Sequence, residues 1–81
     1  MKVPRDLTGN QFAKLLSKFG YSITRQKGSH IRLTTQFSGE HHVTVPAHDP
    51  LKVGILSALL FDIANHLNIS KEQLIRELFY K

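Results

Sequence analysis

The sequence predicts an α+β fold in which a helix, a three-stranded antiparallel meander and two further helices follow one another. Three observations predict it: a capped amphipathic segment near the N-terminus, three short alternating runs joined by turn-forming residues, and two apolar helical stripes after Pro50.

Thr8 and Gln11 form a T-x-x-Q capping box, in which each side chain satisfies a backbone donor of the first turn. Leu7 before the cap and Phe12 at the fourth helical position fit a hydrophobic staple. Phe12, Leu15, Leu16 and Phe19 recur at helical spacing, and Gly20 stands where a left-handed residue closes a helix. A helix over about 8–19 follows. Beyond it, Tyr21, Ile23 and Arg25 alternate with Ser22, Thr24 and Gln26, and Gly28-Ser29 marks a turn. Ile31 and Leu33 alternate with Arg32 and Thr34 up to a second turn at Ser38-Gly39-Glu40. Val43 and Val45 alternate with His42 and Thr44 until Pro46 ends the run. The expected strands are about 21–27, 30–37 and 41–46, and connections this short are antiparallel.

A polar loop holding His48, Asp49 and Pro50 leads to a helix over about 53–66, with Ile55, Leu56, Leu59, Leu60, Ile63, Ala64 and Leu67 on a broad buried stripe. Gly54 in its first turn costs about 1 kcal/mol relative to Ala, which points to a packing or close-approach reason. Asn68 is the expected C-cap. Ser70 and Gln73 make a second capping box for a last helix over about 70–79, with Leu74, Ile75, Leu78 and Phe79 as its apolar positions. The two longer helices can cover one face of the sheet and leave the other open. That is the layout of a double-stranded-RNA-binding-domain-like αβββα fold with an extra C-terminal helix, expected as one domain over 1–81.

Eighty-one residues exclude a two-domain cofactor enzyme. A chain this short buries roughly 60–65% of its unfolded surface around one small core. Absence of cysteine excludes disulfides and thiolate metal sites. No apolar run reaches the roughly 18 residues of a membrane span, and Met1–Asp6 carries no signal-peptide h-region, so a cytoplasmic protein is expected. Charge is uneven. Residues 1–36 hold seven cations against Asp6, a net of +6, while residues 37–81 hold four cations against five anions, a net of −1. A basic half of this kind suits a polyanion or an acidic protein.

Chemistry concentrates in Arg25-Gln26-Lys27-Gly28-Ser29-His30. Two cations flank a tight turn, a glycine lets the backbone come close to a ligand, and a histidine with a fixed direction opens a strand. Histidine exchanges protons near neutral pH, and nearby cations stabilise charge developing on phosphoryl oxygens. The plainer reading is a surface turn with a hydrogen-bonded histidine. His48 is a possible second contact or only a loop residue. His41 and His42 are neighbours on a strand and point to opposite faces, which is the wrong spacing for a zinc site, so no metal is expected. His66 lies near a helix C-terminus, where an imidazolium suits the dipole. No P-loop, nucleophile elbow or paired-carboxylate pattern is present. Residues 64–74 have helix-turn-helix offsets, but Lys71 and Arg76 are balanced by Glu72 and Glu77, and Gln73 is the one clear base-reading candidate.

Gly20-Tyr21, Arg25-Gln26-Lys27-Gly28-Ser29-His30, Val43-Thr44-Val45-Pro46-Ala47-His48 and Leu51-Lys52-Val53-Gly54-Ile55-Leu56 together resemble the HicA (YcfA-like) toxins of bacterial toxin–antitoxin systems, over roughly residues 8–66. The resemblance implies a ribosome-independent mRNA interferase with a double-stranded-RNA-binding-like fold, neutralised by a HicB antitoxin. It also implies a catalytic histidine after Gly-Ser, which is His30 here. Ile55 stands where the family commonly has threonine, and residues 68–81 extend past its short members.

Residues and resemblance converge on a toxin ribonuclease acting on mRNA without cofactor or metal. In it His30 is base or acid, Arg25 and Lys27 are phosphate contacts, Ser29 is an orienting donor, and Gly28 permits the backbone approach. Two other readings stay open. One is a non-catalytic RNA-binding module on the same basic face. The other is a DNA-binding protein using the helix pair over about 55–79.

Overall fold

The computed structural model describes residues 3–80, so Lys2, one of the N-terminal cations, lies outside the described residues. Its order is α1 (Gly9–Leu15) with a 3₁₀ turn over Leu16–Phe19, β1 (Ser22–Lys27), β2 (His30–Thr35), β3 (His41–Pro46), α2 (Val53–Leu67) and α3 (Lys71–Phe79). The α+β architecture is the expected one, with the strands in the order β1-β2-β3.

Both halves of the first capping box form: Gln11 N donates to Thr8 Oγ1 at 3.0 Å, and Thr8 N donates to Gln11 Oε1 at 2.9 Å. Gly20 closes the segment at φ 78°. Phe12 and Leu16 are fully buried against the sheet, and Leu15 and Phe19 flank them. The start of α1 is wedged against the end of β3. A Cβ on Gly9 would stand 1.9 Å from the carbonyl oxygen of Pro46, and Gly9 N donates to the carbonyl of His48 at 2.9 Å. Only glycine fits this contact between two backbones.

β2 and β3 send Ile31, Leu33, Val43 and Val45 into the core, with Leu56, Leu60 and Ile63 of α2 packed over them. β1 overhangs: all six of its residues are exposed, and Ile23 is 55% exposed although it pairs with the buried Leu33. β2 ends at Thr35, two residues short of the expected end. The buried Thr35 hydroxyl donates to the Phe19 carbonyl at 2.8 Å and accepts from Phe37 N at 3.0 Å, which turns the chain before Gln36. Ser38, at φ 60°, and Gly39 complete the turn.

Asn68 ends α2 in the left-handed conformation, and Ile69 N returns to the Ala64 carbonyl at 3.1 Å. Gly54 is exposed, and a Cβ there would meet no neighbouring element within 4 Å, so the expected close approach is not made among the described residues. Ser70 caps α3 by accepting from Gln73 N at 3.0 Å, and the reciprocal bond of the expected box does not form. α3 bends 105° from α2 and buries Leu74, Ile75 and Leu78. Lys18 Nζ donates to the Glu77 carbonyl at 3.0 Å, tying α3 to the end of α1. Among the described residues no single helix is long and apolar enough to cross a membrane.

Candidate functional site

Lys27 and His30 pair across a two-residue turn, Gly28-Ser29. Gly28 has φ 58°, the positive first position that a type II′ hairpin requires. The space around its missing Cβ is open, so the turn needs glycine for its backbone conformation and not for room. Ser29 is held from the other side, where its carbonyl accepts from Ala47 N at 2.6 Å. His30 also pairs with Pro46 of β3, and its ring is exposed.

Strict alternation along β1 would put Arg25 on the same side as Ile23, facing the helices. The structure does otherwise. The β1–β2 register shifts between Ile23 and Arg25, and Thr24 is the extra residue of a β-bulge. After the bulge Arg25 pairs with Arg32, and Lys27 with His30. Residues directly opposite one another share a face. The open face therefore carries three cross-strand rows: Lys27–His30–Pro46, Arg25–Arg32–Thr44 and Ser22–Thr34–His42.

Arg32 joins this candidate site, although no motif in the sequence singled it out. Its signal was parity, since it lies two residues from His30 on the same strand. Arg25 opposite Arg32 is a like-charge pair, which destabilises a sheet. Among the described residues neither arginine nor Lys27 pairs with a carboxylate. The Glu40 carboxylate feels the charge of Arg32 but forms no salt bridge with it, and a conflict of this kind is what a candidate site for an external anion looks like.

His48 lies two residues beyond the partner of His30. Its carbonyl receives the Gly9 bond while its side chain is exposed. The remaining histidines are held elsewhere, and none of their contacts was visible in the sequence. His41 faces the helices, with its Nδ1 2.7 Å from the Tyr21 hydroxyl and its Nε2 3.2 Å from Asp62. Burial, and then the charge of Asp62, push Tyr21 up to about 12. The His41 ring stacks on His66 at 4.3 Å, and His66 Nε2 donates to the Phe37 carbonyl at 2.9 Å. His42 is on the open face, bonded to Thr34 at 2.7 Å and to Glu40 at 2.8 Å. That hydrogen bond, with the histidine's charge, holds the Glu40 carboxyl below its ordinary value. His30 is thus the histidine that shares its face and its turn with cations.

The description of the HicA toxin of bacterial toxin–antitoxin systems matches residues 9–64. The chain belongs to the HicA toxin family. It is accordingly the toxin of a toxin–antitoxin system, and an antitoxin partner goes with that membership. No curated protein and no solved structure matches it. The HicA match opens at Gly9, the residue wedged against Pro46, takes in the whole sheet, and stops before α3. α3 thus lies outside the matched region.

Proposed function

We propose that this toxin is an mRNA interferase, a metal-independent endoribonuclease in which His30 is the general acid or base. The observation that supports the reading is one face of one sheet, where an exposed histidine stands beside Arg25, Lys27 and Arg32, none of them in a salt bridge with a carboxylate among the described residues.

RNA brings its own nucleophile. The 2′-oxygen attacks the adjacent phosphorus as His30 takes its proton, the bond to the 5′-oxygen breaks, and a proton from imidazolium or water goes to that leaving oxygen. The products are a 2′,3′-cyclic phosphate and a 5′-hydroxyl. Arg25 and Lys27 bind the phosphate and stabilise the charge that builds on its oxygens, with Arg32 beside them. Ser29 orients the phosphate, and the exposed Gly28 backbone admits it. One acid–base group is worth about 10²–10⁴-fold, which makes a slow nuclease. A HicB-like antitoxin would silence the site by laying an acidic surface over residues 25–30, with an association rate that falls as salt rises.

The test is chemical. Cleavage should persist in excess EDTA, leave cyclic phosphate ends, and stop when the nucleotide 5′ of the cut is 2′-deoxy. Cleavage of the deoxy-substituted strand, or a strict Mg²⁺ requirement, overturns this mechanism. The DNA-binding reading has the 105° helix pair in its favour, an angle within the helix-turn-helix range. Against it, α3 carries balanced charge and spends its apolar side on the core. A non-catalytic RNA-binding module would need the arginines and lysine but not His30.

A further inference from the structure

We propose that the end of the open sheet face away from His30 is a nucleobase subsite, which holds a base of the bound RNA strand and so gives the toxin sequence preference. The proposal rests on the ribonuclease reading for its substrate.

A depression of about 390 Å³ lies there, lined by Ser22, Thr24, Thr34, Gln36 and Phe37 among others. Phe37 is 58% exposed, yet its backbone is pinned on both sides, its N–H on the Thr35 hydroxyl and its carbonyl on His66. An aromatic ring left open to solvent on an anchored backbone offers a stacking platform, and every base has a face to stack on it.

Beside the ring runs a chain of polar groups. Thr24 Oγ1 lies 3.0 Å from Thr34 Oγ1, Thr34 Oγ1 lies 2.7 Å from His42 Nδ1, and His42 Nε2 lies 2.8 Å from Glu40. His42 Nε2–H donates to the Glu40 carboxylate, and the chain of bonds runs on through His42 Nδ1 and the Thr34 hydroxyl to Thr24, whose own hydroxyl donates to the Arg32 carbonyl at 3.4 Å. The hydroxyls are thereby oriented before any ligand arrives. Gln36, whose side-chain amide helps to hold the Glu40 carboxyl low, completes a polar edge next to an apolar plane. A nucleobase has that pairing of properties: a flat face and a rim of donors and acceptors.

The path between the two ends carries the charge that RNA needs. Thr34 is four residues along β2 from His30, about 13 Å at strand rise, or roughly four stacked nucleotide steps and fewer in an extended strand. Arg32 lies midway on the same face, with Arg25 opposite it. A strand running along β2 meets the acid–base histidine, then two guanidiniums, then the ring and hydroxyls. This charge favours RNA as the occupant over an apolar protein segment.

The experiment uses the full chain carrying His30→Ala, so that RNA is bound and not consumed. Affinity is measured for single-stranded RNA hexanucleotides, intact and with one base removed at each position in turn. Phe37→Ala should weaken binding of the intact strand about ten- to one-hundredfold. Removing one particular base should weaken the parent by a similar factor and the Phe37→Ala protein little further, while Phe37→Tyr restores affinity. The ring is exposed, so an unchanged melt is expected in every variant. Unchanged RNA affinity in Phe37→Ala overturns the proposal. So does a Phe37→Ala protein that loses only antitoxin binding, which would make this face the antitoxin's alone, and so does a parent that binds none of the strands. If these binding results hold but the protein with His30 intact cleaves no RNA, the nuclease reading fails and the base subsite stands.

Discussion

The two faces of β2 divide the molecule's labour. Ile31, Leu33 and Thr35 point under the helices and are buried to within 1%. His30, Arg32 and Thr34 point the other way into solvent, with like charges facing across strands. Every polar atom on the covered side is matched: Thr35 spends its hydroxyl on two backbone groups, and among the described residues no buried side-chain polar atom lacks a partner. The open side tolerates Arg25 against Arg32. Stability is therefore drawn from one face of the strand, and the other is free to hold charges that work against the fold. Substitutions on the two sides should fail in different ways.

The largest effect expected on the covered side is loss of α3. Truncation after Asn68 removes Leu74, Ile75 and Leu78 from the core. Burying such side chains contributes about 1.5–3 kcal/mol each before the entropy of ordering the helix, in a domain with about 5–15 kcal/mol in total. The truncated chain should lose its cooperative thermal transition, followed by circular dichroism. A melt like that of the full chain would show that α3 serves a partner and not the core. Next is Gly9→Ala, whose methyl must displace the Pro46 carbonyl. Overpacking against backbone should destabilise by about 3 kcal/mol, lowering Tm by about 12–24 °C at about 4–8 °C per kcal/mol. A shift of only a few degrees would mean that α1 slides without penalty and that the wedge is not a constraint.

The smaller effect separates the faces from the other direction. Arg32→Ala should leave stability unchanged or raise it slightly, because it relieves a like-charge pair worth about 0.2–1 kcal/mol. At the same time RNA should bind more weakly, and the dependence of log affinity on log salt should flatten by about 0.7, the value for one single-strand phosphate contact. An equal loss of stability and unaltered salt dependence would place Arg32 among the structural residues.

Much of this division could be read from the sequence where the signals are local. Thr8 with Gln11, Gly20, Asn68 and Ser70 each act within one turn of their helix, and all four stand where the sequence reading put them. His30 was legible because Gly-Ser fixes a hairpin and the alternation of β2 then fixes the ring's side. What escaped is non-local. The bulge at Thr24 depends on how β1 pairs with β2, and alternation alone turned Arg25 the wrong way and hid Arg32. Gly9 carries no local signal, since the backbone it must clear belongs to β3, far along the chain. The bonds from Tyr21 and Asp62 to His41, and the stack of His41 on His66, join β3 to α2 and to the segment before β1 and leave no periodic trace. Gly54, whose position in a helix suggested packing, turned out to face open space.

The most direct test of the account is His30→Ala in the otherwise intact chain, with RNA cleavage, growth arrest on expression and thermal melting measured on the same protein. An exposed side chain away from the core should change stability by no more than about 0.5 kcal/mol, while loss of the acid–base group should lower cleavage by about 10²–10⁴-fold and abolish growth arrest. A variant that melts like the parent and neither cleaves nor arrests growth is the predicted result. A well-folded His30→Ala protein that still cleaves RNA and arrests growth at full strength would contradict it.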